Sequence, residues 1–181
     1  MINKIGIYPG TFDPITFGHI DVIKRALKIV NYLVIGVADD QSKNYFFSSE
    51  ERAELIKKSL FNDMKLKRSR IKITIFNDLT TNFCKKNKAN IIFRGLRAVS
   101  DFEYEFQLAG MNRNLNKEIE TVFLMSDPES QVISSKLVKE VALLKGNISK
   151  FASRSVIKAI NNRILWKRYY FFLFFICFIY Q

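Results

Sequence analysis

The chain has 181 residues, 48% of them apolar and 14% aromatic, enough to build the core of one domain. Its two cysteines, Cys84 and Cys177, are too few for a disulfide framework and lack the spacing of a zinc site. The formal net charge of +12 points to anionic partners, but the lysines and arginines are spread along the whole length, with weak clusters such as Lys65-Leu66-Lys67-Arg68. A solvated basic surface accounts for most of that charge, and binding polyphosphate or a phosphorylated small molecule needs only a few cations. The N-terminus shows no charged-then-apolar signal segment, so a reducing, cytoplasmic setting is expected.

In chain order, residues 4–7 read as a short buried strand that Pro9 and Gly10 stop, and an irregular segment then delivers Gly18-His19 to a helix start. A helix start presents unpaired N–H groups and the positive end of the macrodipole, and a glycine just before it lets a bulky anion approach the main chain. His19, the only histidine, stands at that spot. A lone histidine is by default a structural residue; this context argues for an anion site instead. Ile20, Ile23, Leu27 and Val30 recur at helical spacing and define the first helix.

Residues 32–38 form a continuous apolar run, the mark of a parallel strand covered on both faces, and end in the polar loop Asp39-Asp40-Gln41-Ser42-Lys43. Open α/β sheets bind ligands at the carboxyl ends of their strands, which places Lys43 to meet a substrate. Ser48 and Glu51 fit a capping box opening a helix to about Leu60. A strand over 71–76, a helix from about Thr80 to Lys88 and a strand over 90–93 follow. The next segment, Arg94-Gly95-Leu96-Arg97, sets two arginines around a glycine at a strand's carboxyl end, a pattern suited to anions. A helix over 101–114, a strand over 121–125, a helix over 134–144 ended by Gly146, and a last helix from Phe151 to about Arg163 complete the pattern.

This alternation predicts an α/β fold: a Rossmann-like, doubly wound parallel sheet in a single domain, 1–163, followed by an aromatic hydrophobic tail, 164–181. The uncharged run 169–180 has twelve residues, short of the roughly 18 of a membrane span. No membrane contact and no catalytic role are expected of the tail.

The pattern Gly10-Thr11-Phe12-Asp13-Pro14, two residues, then Phe17-Gly18-His19, directly after an N-terminal strand, resembles the Thr-x-Gly-His signature of the nucleotidyltransferases. Two further segments, Phe93-Arg94-Gly95-Leu96-Arg97-Ala98-Val99-Ser100-Asp101-Phe102-Glu103-Tyr104-Glu105 and Val132-Ile133-Ser134-Ser135-Lys136-Leu137-Val138-Lys139-Glu140-Val141, sharpen the match. Together they resemble the phosphopantetheine adenylyltransferase family, in unbroken order from about Lys4 to about Ile160. The resemblance implies reversible transfer of the adenylyl group of ATP to 4′-phosphopantetheine, giving dephospho-coenzyme A and pyrophosphate in coenzyme A biosynthesis. It also implies a homo-hexamer and Mg2+ carried by the ATP phosphates, with no protein metal ligand; nucleic acid is not an expected partner. Two alternatives stay open. One is another small-molecule nucleotidyltransferase, such as a cytidylyltransferase or a nicotinamide-nucleotide adenylyltransferase, although the segment from Arg94 to Glu105 fits less well there. The other is a basic nucleic-acid-binding protein, for which no reading motif is recognisable.

The same resemblance assigns roles. His19 matches the histidine that stabilises the transition state at the ATP phosphates, and Thr11 the hydroxyl that contacts the attacking phosphate, with the Thr11-Phe12 main chain in the nucleotide site. Lys43 and Arg94 match the cations that hold the phosphopantetheine phosphate. Gly95, Leu96 and Arg97 match a nucleotide-binding turn, and Glu105 another ATP-site residue. Ser130, Gln131, Val132, Ile133, Ser134, Ser135 and Lys136 match the ATP-binding segment; alone, its serines would be read as helix caps. Lys136 stands where a third serine is usual, Ser130 where an aromatic residue often lies near adenine, and Thr80 where a larger apolar residue lies beside the pantetheine arm. These departures imply weaker adenine packing and looser substrate contact than the family pattern.

Overall fold

In a computed structural model that describes residues 4–127 and 133–179, five parallel strands form one sheet. They are β1 (Ile5–Gly10), β2 (Tyr32–Ala38), β3 (Ile71–Phe76), β4 (Ile91–Leu96) and β5 (Glu120–Met125), in the order β3-β2-β1-β4-β5. The chain therefore winds outward from β1 to β3, then crosses to the other side of β1 for β4 and β5. The reversal falls between β1 and β4, the place where open α/β sheets leave a crevice at their carboxyl ends.

The register shows how the crevice opens. β1 pairs with β2 over six positions, from Ile5↔Tyr32 to Gly10↔Val37, but with β4 only at Gly6↔Ile91 and Ile7↔Ile92. Beyond Ile7 the two central strands part. Pro9 has no N–H for a ladder, and its carbonyl accepts instead from Arg94 Nη1 at 2.8 Å.

Helices α1 (Phe17–Ile29), α2 (Ser49–Lys57), α5 (Ser135–Leu143) and α6 (Arg154–Ile179) share the larger core, with Ile23, Leu33, Ile35, Ile56, Val138, Val156 and Ile160 at its centre. On the opposite face α3 (Thr80–Lys86) covers Ile7, Val34 and Ile92 with Phe83 and Cys84, and α4 (Val99–Leu115) packs on β4 and β5. α2 opens with the expected capping box: Ser48 Oγ accepts from Glu51 N at 3.2 Å and Ser48 N donates to Glu51 Oε2 at 2.8 Å.

Several boundaries differ from the sequence expectation. β4 runs on through Arg94, Gly95 and Leu96, because β5 continues its ladder to Leu96↔Met125; Arg94-Gly95-Leu96 is strand, not loop. After Lys57 the second helix widens into a π-helical turn, Lys58–Asp63, with Met64 N bonding Ser59 O at 2.9 Å. Asp63 then accepts the Ser155 N–H at 3.0 Å and the Ser59 and Ser153 hydroxyls meet at 2.8 Å, which fixes the start of α6 at Arg154 rather than Phe151. α5 closes with Lys145, not Gly146, in the left-handed conformation, while Gly146 N bonds Val141 O at 2.8 Å. α6 continues without a break past Arg163 to Ile179. Among the described residues no helix is long and apolar enough to cross a membrane.

Candidate active site

A cleft of about 430 Å³ lies at the parted ends of β1 and β4. The turn after β1, the first turn of α1, the end of β4 and the start of α5 supply its walls. Its polar lining includes Thr11, Asp13, Thr16, His19, Arg94, Arg97, Ser134, Ser135, Lys136 and Lys139.

His19 is the third residue of α1. Its Nδ1 accepts the backbone N–H of the N-cap residue, Thr16, at 3.0 Å, with Thr16 Oγ1 at 2.9 Å. Because Nδ1 is thereby an acceptor, the neutral ring carries its proton on Nε2. The Phe12 ring packs edge-on to the imidazole at 5.0 Å, and Tyr8 packs edge-on to Phe12 at 5.3 Å. Burial, then the Arg97 and Arg94 charges, lower the His19 pKa to about 4. The same burial pushes the Tyr8 hydroxyl above its ordinary range. At neutral pH His19 is thus an uncharged donor in a cationic cleft.

Phe12 holds φ at 50°, a left-handed conformation that is rare for a bulky residue and is maintained here by complete burial of the ring. A Cβ on Gly10 would stand 3.0 Å from that ring, tighter than ordinary packing, so the ring would have to shift to admit one. Gly95 answers the same need on β4: a Cβ there would meet Val22 of α1 at 2.9 Å.

Arg94 is held on three sides. Nε donates to Glu105 Oε2 at 2.7 Å, Nη2 to Glu105 Oε1, and Nη1 to the Pro9 carbonyl. Its side chain is 22% exposed and that of Glu105 12%, and the paired carboxylate raises the arginine's pKa despite burial. Arg97 is less constrained, with Nε 3.1 Å from Asp101 Oδ2 across one turn.

At the far wall Ser134 caps α5, accepting Leu137 N at 3.1 Å, while Ser135 Oγ donates to the Pro14 carbonyl at 2.7 Å. The α5 N-terminus is thereby tied to the turn after β1. Lys139 Nζ bonds the buried carboxylate of Asp13 at 2.7 Å, and Asp13 also accepts the N–H groups of Phe46 and Phe47 at 2.9 Å each.

Of the residues singled out from the sequence, Thr11, Phe12, His19, Arg94, Gly95, Arg97, Ile133, Ser134, Ser135 and Lys136 line this one cleft. Glu105 stands behind it, against Arg94, and Leu96 points into buried surroundings at 4% exposure. Lys43 and Thr80 are not among the lining residues; Lys43 is an exposed side chain 3.4 Å from Asp40, and Thr80 begins α3. Ser130, Gln131 and Val132 lie outside the described residues. Asp13, Lys139 and Arg52 were not singled out. An aspartate before proline and a lone cation on a helix are common polar positions, and only the partners at Asp13, Lys139 and Arg52 set these three apart.

The sequence profile of the cytidylyltransferase-like family matches residues 7–141. The phosphopantetheine adenylyltransferase of Pelagibacter ubique is 59% identical over 162 residues, covering 90% of this chain and 99% of its own length. That of Zymomonas mobilis is 45% identical, covering 92% and 93%. Among solved structures, the nicotinic acid mononucleotide adenylyltransferase of Plasmodium falciparum superimposes with a TM-score of 0.66 at 17% identity, over 91% of this chain and 98% of that one. The split parallel sheet is the fold of that solved structure, and the family profile and curated relatives make the chain a nucleotidyltransferase. Within that class, the chain belongs to the phosphopantetheine adenylyltransferase family.

Proposed function

We propose that this chain transfers the adenylyl group of ATP to 4′-phosphopantetheine, giving dephospho-coenzyme A and pyrophosphate, with the cleft between β1 and β4 as the site of reaction. The observation that carries the placement is His19, fixed by Thr16 so that Nε2–H is the donor it offers a phosphate oxygen, in a cleft lined by Arg94, Arg97, Lys136 and Lys139.

A phosphate oxygen of the acceptor attacks the α-phosphorus of ATP in line. One P–O bond forms, the bond to the β-phosphate breaks, and pyrophosphate leaves with that bond's electron pair. No general base is needed, since the attacking phosphate is already ionised. The protein's task is to align two anions and stabilise charge on the α-phosphate and the leaving group. His19 and the first turns of α1 and α5 serve the triphosphate, together with Arg97, Lys136 and residues 130–135. Thr11, Arg94 and Lys43 serve the acceptor phosphate, with Thr80 beside its arm; Lys43 reaches it through movement of its exposed loop. Glu105 acts by orienting Arg94.

Asp13 is the one carboxylate among the described cleft-lining residues, and its oxygens are taken by Lys139 and two N–H groups. This donor set suits Mg2+ held by ATP phosphates and water rather than by the protein. The ion would supply charge neutralisation at the phosphates.

We further propose a cytoplasmic homo-hexamer with a tail dispensable for chemistry. Support for assembly is α4, which exposes Phe102 and Phe106 on one face and Tyr104, Met111 and Leu115 on the opposite one. The deciding experiment measures pyrophosphate release from ATP and Mg2+, with and without 4′-phosphopantetheine, for the full chain, His19→Ala and a chain ending at Arg163. Release that requires phosphopantetheine, falls by orders of magnitude in His19→Ala and survives truncation is expected. Its absence from folded protein would sink the reading.

A further inference from the structure

Arg52, on α2, is fully buried and is not among the residues that line the cleft. Nη1 donates to the carbonyls of Thr11 at 2.7 Å and Ala38 at 2.8 Å, and Nε to that of Phe47 at 3.2 Å. Nη2 faces Asp39 Oδ1 at 3.5 Å, and the Tyr45 ring centroid lies 4.1 Å from the guanidinium carbon. A buried guanidinium opposite one partly exposed carboxylate is a costly way to hold a helix; an apolar side chain of similar volume would anchor α2 at least as well. The carbonyls it gathers explain its presence better.

They matter for the cleft in two ways. In the turn after β1 each peptide offers an anion either its N–H or its carbonyl, and a carbonyl oxygen facing a polyphosphate repels it. The Thr11 carbonyl is committed to Arg52, and the backbone then enters the left-handed conformation at Phe12. The exposed loop carrying Lys43 is also gripped at both ends. Arg52 takes Ala38, Asp39 and Phe47, while Asp13, from the same turn, takes the N–H groups of Phe46 and Phe47. One guanidinium therefore ties the turn bearing Thr11 to the loop bearing Lys43.

We infer that Arg52 is a positioning residue for the transfer: it turns the Thr11 carbonyl away from the phosphates and holds the Thr11 turn and the Lys43 loop in register for the acceptor phosphate. This rests on the function proposed above. The test is steady-state pyrophosphate release by the full chain, varying each substrate in turn, for wild type, Arg52→Met, Arg52→Lys, Lys43→Ala and Arg52→Lys with Lys43→Ala. Wild-type release that does not depend on phosphopantetheine overturns the functional reading and the inference with it. Given that dependence, kcat falls about 100-fold in Arg52→Met, as misplacement of a reacting group does. KM for phosphopantetheine rises at least about tenfold, while KM for ATP, gripped from the α5 side, changes less than about threefold. Arg52→Lys, which keeps the charge but cannot fork to three carbonyls, moves the same way and decides the matter if Arg52→Met does not fold. The double variant is less impaired than the product of the two single effects. Wild-type parameters in a folded variant, equal rises in both KM values, or multiplicative effects in the double variant would each overturn the inference while leaving the reaction intact.

Discussion

The backbone N–H of Thr16 donates to Nδ1 of His19 at 3.0 Å, so the helix cap also sets the imidazole tautomer. A single contact fixes the start of α1, the orientation of the ring and the position of its proton. The group that reaches the cleft is an N–H donor, in the first turn of a helix whose dipole already favours anions.

His19→Asn should separate the two duties. An asparagine carbonyl at this position can still accept the Thr16 N–H but has nothing at Nε2 to offer a phosphate. We expect a thermal midpoint near wild type and kcat lower by about 10²–10³, the range for loss of one transition-state donor. Differential scanning calorimetry beside steady-state kinetics checks both halves.

Because His19 is the only histidine, its titration is directly readable by NMR. The free protein should show a midpoint near its lowered value of about 4. Between that value and the unfolded value of 6.5 the unfolded chain binds a proton that the folded chain refuses, so this contribution makes stability rise with pH across the window. Urea unfolding from pH 4 to 7 should show a flatter slope in His19→Asn than in wild type; parallel slopes would contradict the assigned environment.

Asp13→Ala should be more damaging than its place in a turn suggests. It leaves Lys139 and the N–H groups of Phe46 and Phe47 without their common acceptor. Breaking such a buried pair costs about 3–5 kcal/mol, which a shifted urea midpoint at unchanged m-value would report. Asp13→Asn, which retains one acceptor oxygen, should lose less.

Glu105→Gln removes the counter-charge from Arg94 while keeping one acceptor. The arginine is then held mainly by the Pro9 carbonyl, and we expect KM for phosphopantetheine to change more than the thermal midpoint does. Initial rates at varied acceptor concentration measure it.

Phe106→Glu places a charge on the face of α4 that carries exposed Phe102 and Phe106. The expected result is dissociation of the proposed homo-hexamer, seen as a smaller mass by light scattering, with circular dichroism unchanged. A mass equal to that of wild type would remove this face of α4 from the proposed interface.

The sequence alone determined the order of strands and helices and the segments that meet at the site. Runs such as 32–38 are apolar because parallel strands are covered on both faces, and Ser48 and Ser134 cap helices through backbone rules that operate locally, whereas Pro9 and Gly10, expected to stop the first strand, lie within β1 because β2 carries its ladder on to Gly10↔Val37. Each such signal spans a few neighbours and survives without knowledge of the fold. Tertiary structure decided the rest. Whether Arg52 is a surface cation or the buried tie between Thr11, Ala38 and Phe47 depends on segments up to 41 residues away. The same holds for Asp13 with Lys139, 126 residues on, and for the extension of β4 through Leu96, which its pairing with β5 sets. A charged residue looks alike in sequence wherever it ends up, because its burial depends on partners that only folding brings within hydrogen-bond distance.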